Sequence, residues 1–152
     1  MARVDGARVR GHTVVGREMP VSFTRAHPPI LARIAAHRPV LTLGFGVAVT
    51  RSTVTVEQQA RRRVGSREDV DALTGAAPRG PRVLPVLLDP ARLAAALDAQ
   101  LSQDAGDYVC NSWLYQMLRG AGDQPVGFVH LPLEGLAPEA LLTGLDRYLS
   151  GP

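Results

Sequence analysis

The hydrophobic period of this chain switches repeatedly between two and about 3.6, and that alternation limits its fold more than any other feature. Residues 13–23 read as extended, interrupted by Gly16 and Pro20. Residues 26–37 read as a helix, with prolines in the first turn, where a missing N–H costs nothing, and an apolar stripe of Ile30, Leu31, Ile34 and Ala35. Residues 40–46 read as a buried strand, and the alternating, β-branched residues 53–60 as a second. Residues 65–82, polar and rich in glycine and proline, form the longest loop and the expected mobile part. Residues 90–101 read as an amphipathic helix with Leu93, Ala94, Leu97 and Leu101 on one face. Residues 107–119 read as a helix capped by Asp107. A strand over 126–133 and a helix over 138–149, with Leu141, Leu142, Leu145 and Leu149 inward, close the chain. Strands separated by helices imply an α/β fold of three layers, α/β/α. Its sheet is mostly parallel or mixed and is covered by helices on both faces. We expect one domain over residues 1–152, with 1–10 disordered.

Composition excludes several classes. No apolar run reaches the length of a membrane span, and no secretory hydrophobic segment opens the chain. The net charge is +3, but all 17 basic residues are arginine and isoleucine occurs only at Ile30 and Ile34, which reads as GC-rich coding bias. The single basic cluster, Arg61-Arg62-Arg63, has no interleaved aromatic residue to stack a base, and Glu57, Glu68, Asp69 and Asp71 dilute its field. We therefore expect neither a nucleic-acid nor a membrane partner. The one cysteine rules out an internal disulfide and a cysteine-rich zinc site, so no metal or cofactor is expected and a reducing, cytoplasmic setting fits.

That cysteine, Cys110, stands where small polar residues give way to helical spacing, and His130 follows twenty residues later inside an apolar strand. A helix N-terminus offers unpaired N–H groups and a positive dipole end, and both favour thiolate over thiol. With an imidazole beside it, the thiol's pKa should fall below the free value of about 8.5. Such an imidazole can also take the thiol proton and return it to a leaving amine. We expect the sulfur within hydrogen-bonding reach of His130, either directly or through a small adjustment, since such bonds are often loose without substrate. Taken alone, a lone cysteine reads as a buried inert thiol and a lone histidine as a satisfied core residue. Glu57 is the carboxylate inside a strand, but its polar period-two neighbours Thr55 and Gln59 turn it, on pattern alone, toward solvent.

The stretch from Ser102 to Asn111, containing Ala105-Gly106 and Tyr108-Val109-Cys110-Asn111 with Tyr115 beyond, resembles the cysteine motif S-x-x-A-G-x-(F/Y)-V-C-N-x-x-x-Y of the pyroglutamyl peptidase type I (pyrrolidone-carboxylate peptidase) family. Gly127-Phe128-Val129-His130-Leu131-Pro132 resembles that family's G-F-(I/V)-H-(V/I/L)-P. The segment from Arg51 to Glu57 resembles its R-x-x-(I/V)-x-(L/V)-E, and Met19-Pro20-Val21-Ser22-Phe23 is similar to its L-P-V-S-F. The resemblance runs from about Gly11 to the end. It implies hydrolysis that frees an N-terminal pyroglutamyl residue from a peptide, with Cys110 as nucleophile, His130 as base and then acid, and Glu57 orienting the imidazole. It also implies an oxyanion and substrate-binding group in which Arg67 matches a family arginine, together with Tyr108, Val109 and the Val47 backbone.

Two departures stand out. Nothing in residues 1–10 resembles the family's T-G-F-x-P-F loop, whose phenylalanines grip the lactam ring. The chain thus reads as an N-terminally shortened member. The family's paired glycines before the arginine are Val49 and Thr50 here, and β-branched residues disfavour positive φ, so that loop should change shape. The expectation is a cysteine peptidase of weak activity. The alternative is a catalytically degenerate homologue with a binding or assembly role. A sheet edge left without the first strand invites pairing with another chain, and homo-oligomers are a habit of the family.

Overall fold

The structure, a computed structural model, describes residues 4–151. Its centre is a four-stranded mixed sheet in the order β3 (Thr42–Val47), β8 (Val126–Leu131), β4 (Thr55–Glu57), β7 (Gln100–Ser102). β3 and β8 run parallel, as do β4 and β7, while β4 and β8 are antiparallel. Helices α1 (Pro28–His37) and α3 (Val109–Gly120) lie against one face, and α2 (Pro90–Ala96) and α4 (Pro138–Leu149) against the other. This is the expected three-layer arrangement. Each layer boundary has its own apolar core. Ile34, Trp113, Leu114, Met117 and Phe128 fill the α1/α3 side; Val56, Leu93, Leu97, Val129, Leu141 and Tyr148 fill the α2/α4 side.

Strand periodicity sets what each layer sees. Along β8, Phe128 packs on the α3 side and Val129 on the α2/α4 side, so His130 returns to α3. Along β4, Val56 packs against α2 and α4, which turns Thr55 and Glu57 toward α3. Along β3, a Cβ on Gly44 would meet Phe128 and Trp113, and one on Gly46 would meet Cys110 and Phe128. The missing side chains let α3 approach the sheet closely.

Several boundaries differ from the sequence expectation. The strand read over 53–60 is two strands in different sheets. β4 stops at Glu57, Gln58 leaves the sheet with its N–H on Ser102 O (2.8 Å), and β5 (Gln59–Arg61) pairs with β6 (Val83–Pro85). The helix read over 90–101 ends at Ala96 because Asp98 takes a positive φ of 52°; Leu101 then lies in β7, 44% exposed rather than inward. Asp107 is not the cap of α3: Tyr108 holds that position. Of the extended reading of 13–23 only Thr13 lies in a strand, at the end of a hairpin of β1 (Arg8–Val9) and β2 (His12–Thr13), and residues 14–23 carry no strand. The hairpin's turn residues Arg10 and Gly11 both have positive φ, as a two-residue turn matching strand twist requires. Residues 4–10 are therefore packed instead of disordered: Val4 and Val9 are buried, and Arg10 Nε meets Asp146 of α4 at 2.9 Å. Residues 1–3 of that expectation lie outside the described residues. The 65–82 segment has no helix or strand beyond one isolated bridge, Glu68 to Thr74.

Candidate active site

Gly46 of β3, His130 of β8 and the start of α3 converge at one end of the sheet. Gly46 and His130 are register partners, and Cys110 Sγ sits so close above them that a Cβ on Gly46 would lie 2.8 Å from it. Cys110 is the second residue of α3, so its N–H belongs to the first turn, where no helical carbonyl is available. Behind the histidine, Nδ1 lies 2.8 Å from Glu57 Oε1. Glu57 is fully buried and His130 is 5% exposed. The solvent-facing reading of Glu57 is thus overturned, because Val56, not Glu57, takes the α2/α4 face. A carboxylate accepts, so Nδ1 carries the proton and donates, leaving the Nε2 lone pair free.

The thiol makes no direct bond to His130, and its pKa runs against expectation. No Cys110–His130 hydrogen bond forms among the described residues; the link between them runs through Gly46 and the Phe128 ring, whose centroid is 4.9 Å from the imidazole's. Burial pushes the Cys110 thiol from 9.0 up to about 11, against the lowering expected from the helix end and imidazole. Arg67, the Cys110 N–H and Arg51 act in the lowering direction, but desolvation outweighs them.

Of the further residues, the structure brings Arg67 and Tyr108 together. The Arg67 guanidinium stacks 3.7 Å from the Tyr108 ring centroid, and the same arginine acts on the thiol. The Tyr108 hydroxyl donates to Glu68 O at 2.8 Å, and Phe23 meets the ring edge-on at 5.6 Å. Val109 is buried in the α1/α3 core and Val47 is exposed at the end of β3, in register with Leu131 of β8. Sequence reasoning gave no role to Arg51 or Gly46. Nothing in their spacing indicates that one reaches Glu57 (2.9 Å) and the other makes room for sulfur.

The family model for pyroglutamyl peptidase matches residues 1–143. A pyrrolidone-carboxylate peptidase of Saccharolobus islandicus is 30% identical over 144 residues, covering 86% of this chain and 68% of that protein. One from Halalkalibacterium halodurans is 31% identical over 146 residues, covering 85% and 71%. Among solved structures, pyrrolidone carboxyl peptidase from Thermococcus litoralis superposes with a TM-score of 0.83 at 21% identity, over 98% of this chain and 81% of that one. Pyroglutamyl peptidase I from Bacillus amyloliquefaciens gives 0.81 at 22% identity, over 97% and 81%. These structures share the fold. The sequence matches, read with a thiol, an imidazole and a buried carboxylate at one sheet end, show that this chain belongs to the pyroglutamyl peptidase family of cysteine-type peptidases.

Proposed function

We propose that this chain hydrolyses the amide bond after an N-terminal pyroglutamyl residue of a peptide, with Cys110 as nucleophile, His130 as base and then acid, and Glu57 orienting His130. The buried 2.8 Å contact between Glu57 Oε1 and His130 Nδ1 supports this reading best, since it leaves Nε2 unprotonated on the side of β8 that faces α3. With a thiol that stays protonated at neutral pH, attack needs that base. Sγ bonds to the carbonyl carbon while its proton passes to Nε2. The carbonyl oxygen takes the negative charge beside the Cys110 N–H and Arg67. The C–N bond then breaks as Nε2 returns the proton to the amine, leaving a thioester on Cys110. Water, deprotonated by Nε2, releases the acid. Tyr108, under the Arg67 guanidinium, lines the approach to this site; Val109 anchors the start of α3 in the core beneath it, and the Val47 backbone lies at its β3 edge.

Activity of the 152-residue chain is expected to be weak. Residues 4–13 pack with the α2/α4 core, on the opposite sheet face from Cys110, so no aromatic from that segment grips a lactam ring there. A substrate misplaced by about 1 Å forfeits about a hundredfold in rate. The test is turnover of a pyroglutamyl fluorogenic amide beside alanyl and prolyl analogues. Slow cleavage of the pyroglutamyl amide alone, abolished in Cys110→Ser, is expected. No cleavage of any analogue would favour the degenerate homologue, and fast cleavage would overturn the argument from the clamp.

The proposal extends to setting and assembly. A lone free thiol fits the cytoplasm, and no helix among the described residues is long and apolar enough to cross a membrane. β3 stands at the edge of the sheet, which supports a homo-oligomer. Light scattering on a sizing column should give a mass above 16.2 kDa, and a strictly monomeric peak at all concentrations would exclude it.

A further inference from the structure

One guanidinium touches three parts of the site. Arg51 Nη1 donates to Thr55 Oγ1 at 2.7 Å, and Nη2 meets Glu57 Oε1 at 2.9 Å and donates to Asp104 O at 2.8 Å. Thr55 and Glu57 belong to β4; Asp104 lies early in the 103–108 loop that delivers Cys110 to the start of α3. Glu57 rests wholly on Oε1, which takes both Arg51 and His130, while its buried Oε2 has no hydrogen-bond partner among the described residues. A fully buried carboxylate held by one oxygen has little else to fix its position.

We propose that Arg51 is a positioning residue for the Glu57–His130–Cys110 set, bracing the carboxylate that holds His130 and the loop that carries Cys110 with one planar fork. The proposal rests on the peptidase reading and deepens it. Lysine is no equivalent, because a single ammonium cannot reach a hydroxyl, a carboxylate and a carbonyl in fixed directions. Charge balance makes the consequence specific. With Arg51 present, an ionised Glu57 and a neutral His130 leave the cluster without net charge. With Arg51 absent, the same buried cluster regains neutrality by binding one proton, shared by the Glu57–His130 pair. The other charged or titratable groups facing the set are the Arg67 guanidinium of the 65–82 segment and the neutral Cys110 thiol of α3; the Asp104 carboxylate is taken by Arg63 (2.7 Å).

Arg51→Gln, Arg51→Lys and wild type should be compared by the pH dependence of kcat/KM on a pyroglutamyl amide and by NMR titration of the His130 ring, assigned by its loss in His130→Gln. In Arg51→Gln, kcat should fall at least tenfold with KM little changed. The acid limb and the ring titration should both move to higher pH, because a cation beside the pair is lost. Arg51→Lys should restore the limb and leave kcat low, since charge returns without the fork. Variants whose loss tracks only their folded fraction, with the wild-type limb and ring titration, would overturn the proposal. The ring titration needs no turnover. If wild type cleaves nothing yet Arg51→Gln moves His130, the positioning role stands and the peptidase reading falls.

Discussion

Gly46 shows how little room one atom leaves. A methyl there would sit 2.8 Å from Cys110 Sγ and 3.0 Å from Phe128 Cζ, both well inside van der Waals contact. Its backbone φ is not positive, so conformation does not demand glycine here; the sulfur does. The thiol is the end of a short side chain and swings aside more readily than the Phe128 ring, which is wedged between Trp113 and His130. Gly46→Ala should therefore cost about 1–3 kcal/mol of stability from overpacking. It should cost far more in function, because displacing Sγ by about 1 Å forfeits about a hundredfold in rate. Thermal melts and the rate of Cys110 alkylation by iodoacetamide measure the two effects separately. A Gly46→Ala variant that melts and alkylates like wild type would mean that the sulfur does not rest on β3.

At the scale of elements, helix contacts reverse an ordinary rule. Glycine inside a helix normally destabilises by about 1 kcal/mol relative to alanine, so Gly144→Ala in α4 should help. Here a Cβ would press on the Leu97 side chain and lie 3.0 Å from Ala96 O, a backbone atom at the end of α2 that cannot yield cheaply. The crossing of α2 and α4 wins, and the variant should lose about 1–3 kcal/mol in a urea titration; a gain would show that the helices slide apart freely. That crossing also marks where sequence patterning stops being informative. Helix α4 was legible to its ends because its leucines recur at helical spacing and Pro138 opens it. The end of α2 was not, because Leu93, Leu97 and Leu101 keep helical spacing straight through Asp98, and only the positive φ there, with Ala99 N–H donating to Ala94 O, breaks the run. Cys110 and His130 were legible through their motifs. Glu57 was recognisable by resemblance and not by pattern, because the polar alternation Thr55, Glu57, Gln59 marks a wet face in an ordinary strand, whereas here Thr55 and Glu57 are buried facing α3 and Gln59 belongs to another sheet. Arg51 escaped for a different reason: its reach to Glu57 and Asp104 is a contact across the fold, and no local period encodes it.

At the scale of the whole molecule, groups that titrate out of step with the unfolded chain include a set at each end of the pH range. Cys110 holds its proton more tightly when folded, about 11 against 9.0, chiefly through burial. Its contribution to stability is therefore complete below pH 9 and is lost as pH rises through about 11, on the order of 3 kcal/mol in all. Asp71 and Asp69 act in the opposite sense. Arg25 and then Ser22 hold the Asp71 carboxyl below 3.8, with Arg25 Nε donating at 2.9 Å. Partial burial raises Asp69, but the N–H groups of Phe23, Leu73 and Asp71 outweigh it and its net position is also below 3.8. Their contribution is present above about pH 3.8 and is lost as pH falls below it. Both carboxylates tie the 65–82 segment to residues 22–25, and Phe23 in turn meets Tyr108 beside the thiol. Acid should thus loosen the Arg67–Tyr108 side of the site before the sheet, whereas alkali should open the seat of Cys110 directly. Melting temperatures of wild type, Asp71→Asn and Cys110→Ser between about pH 2 and 11, an interval set by the ordinary carboxyl and thiol ranges, separate the two ends. Asp71→Asn should flatten the acid slope and leave the alkaline one. Cys110→Ser should do the reverse, since a serine hydroxyl does not titrate there. If Cys110→Ser keeps the full alkaline slope, the buried thiol is not its source and the case for a protonated resting nucleophile, which makes His130 the necessary base, goes with it.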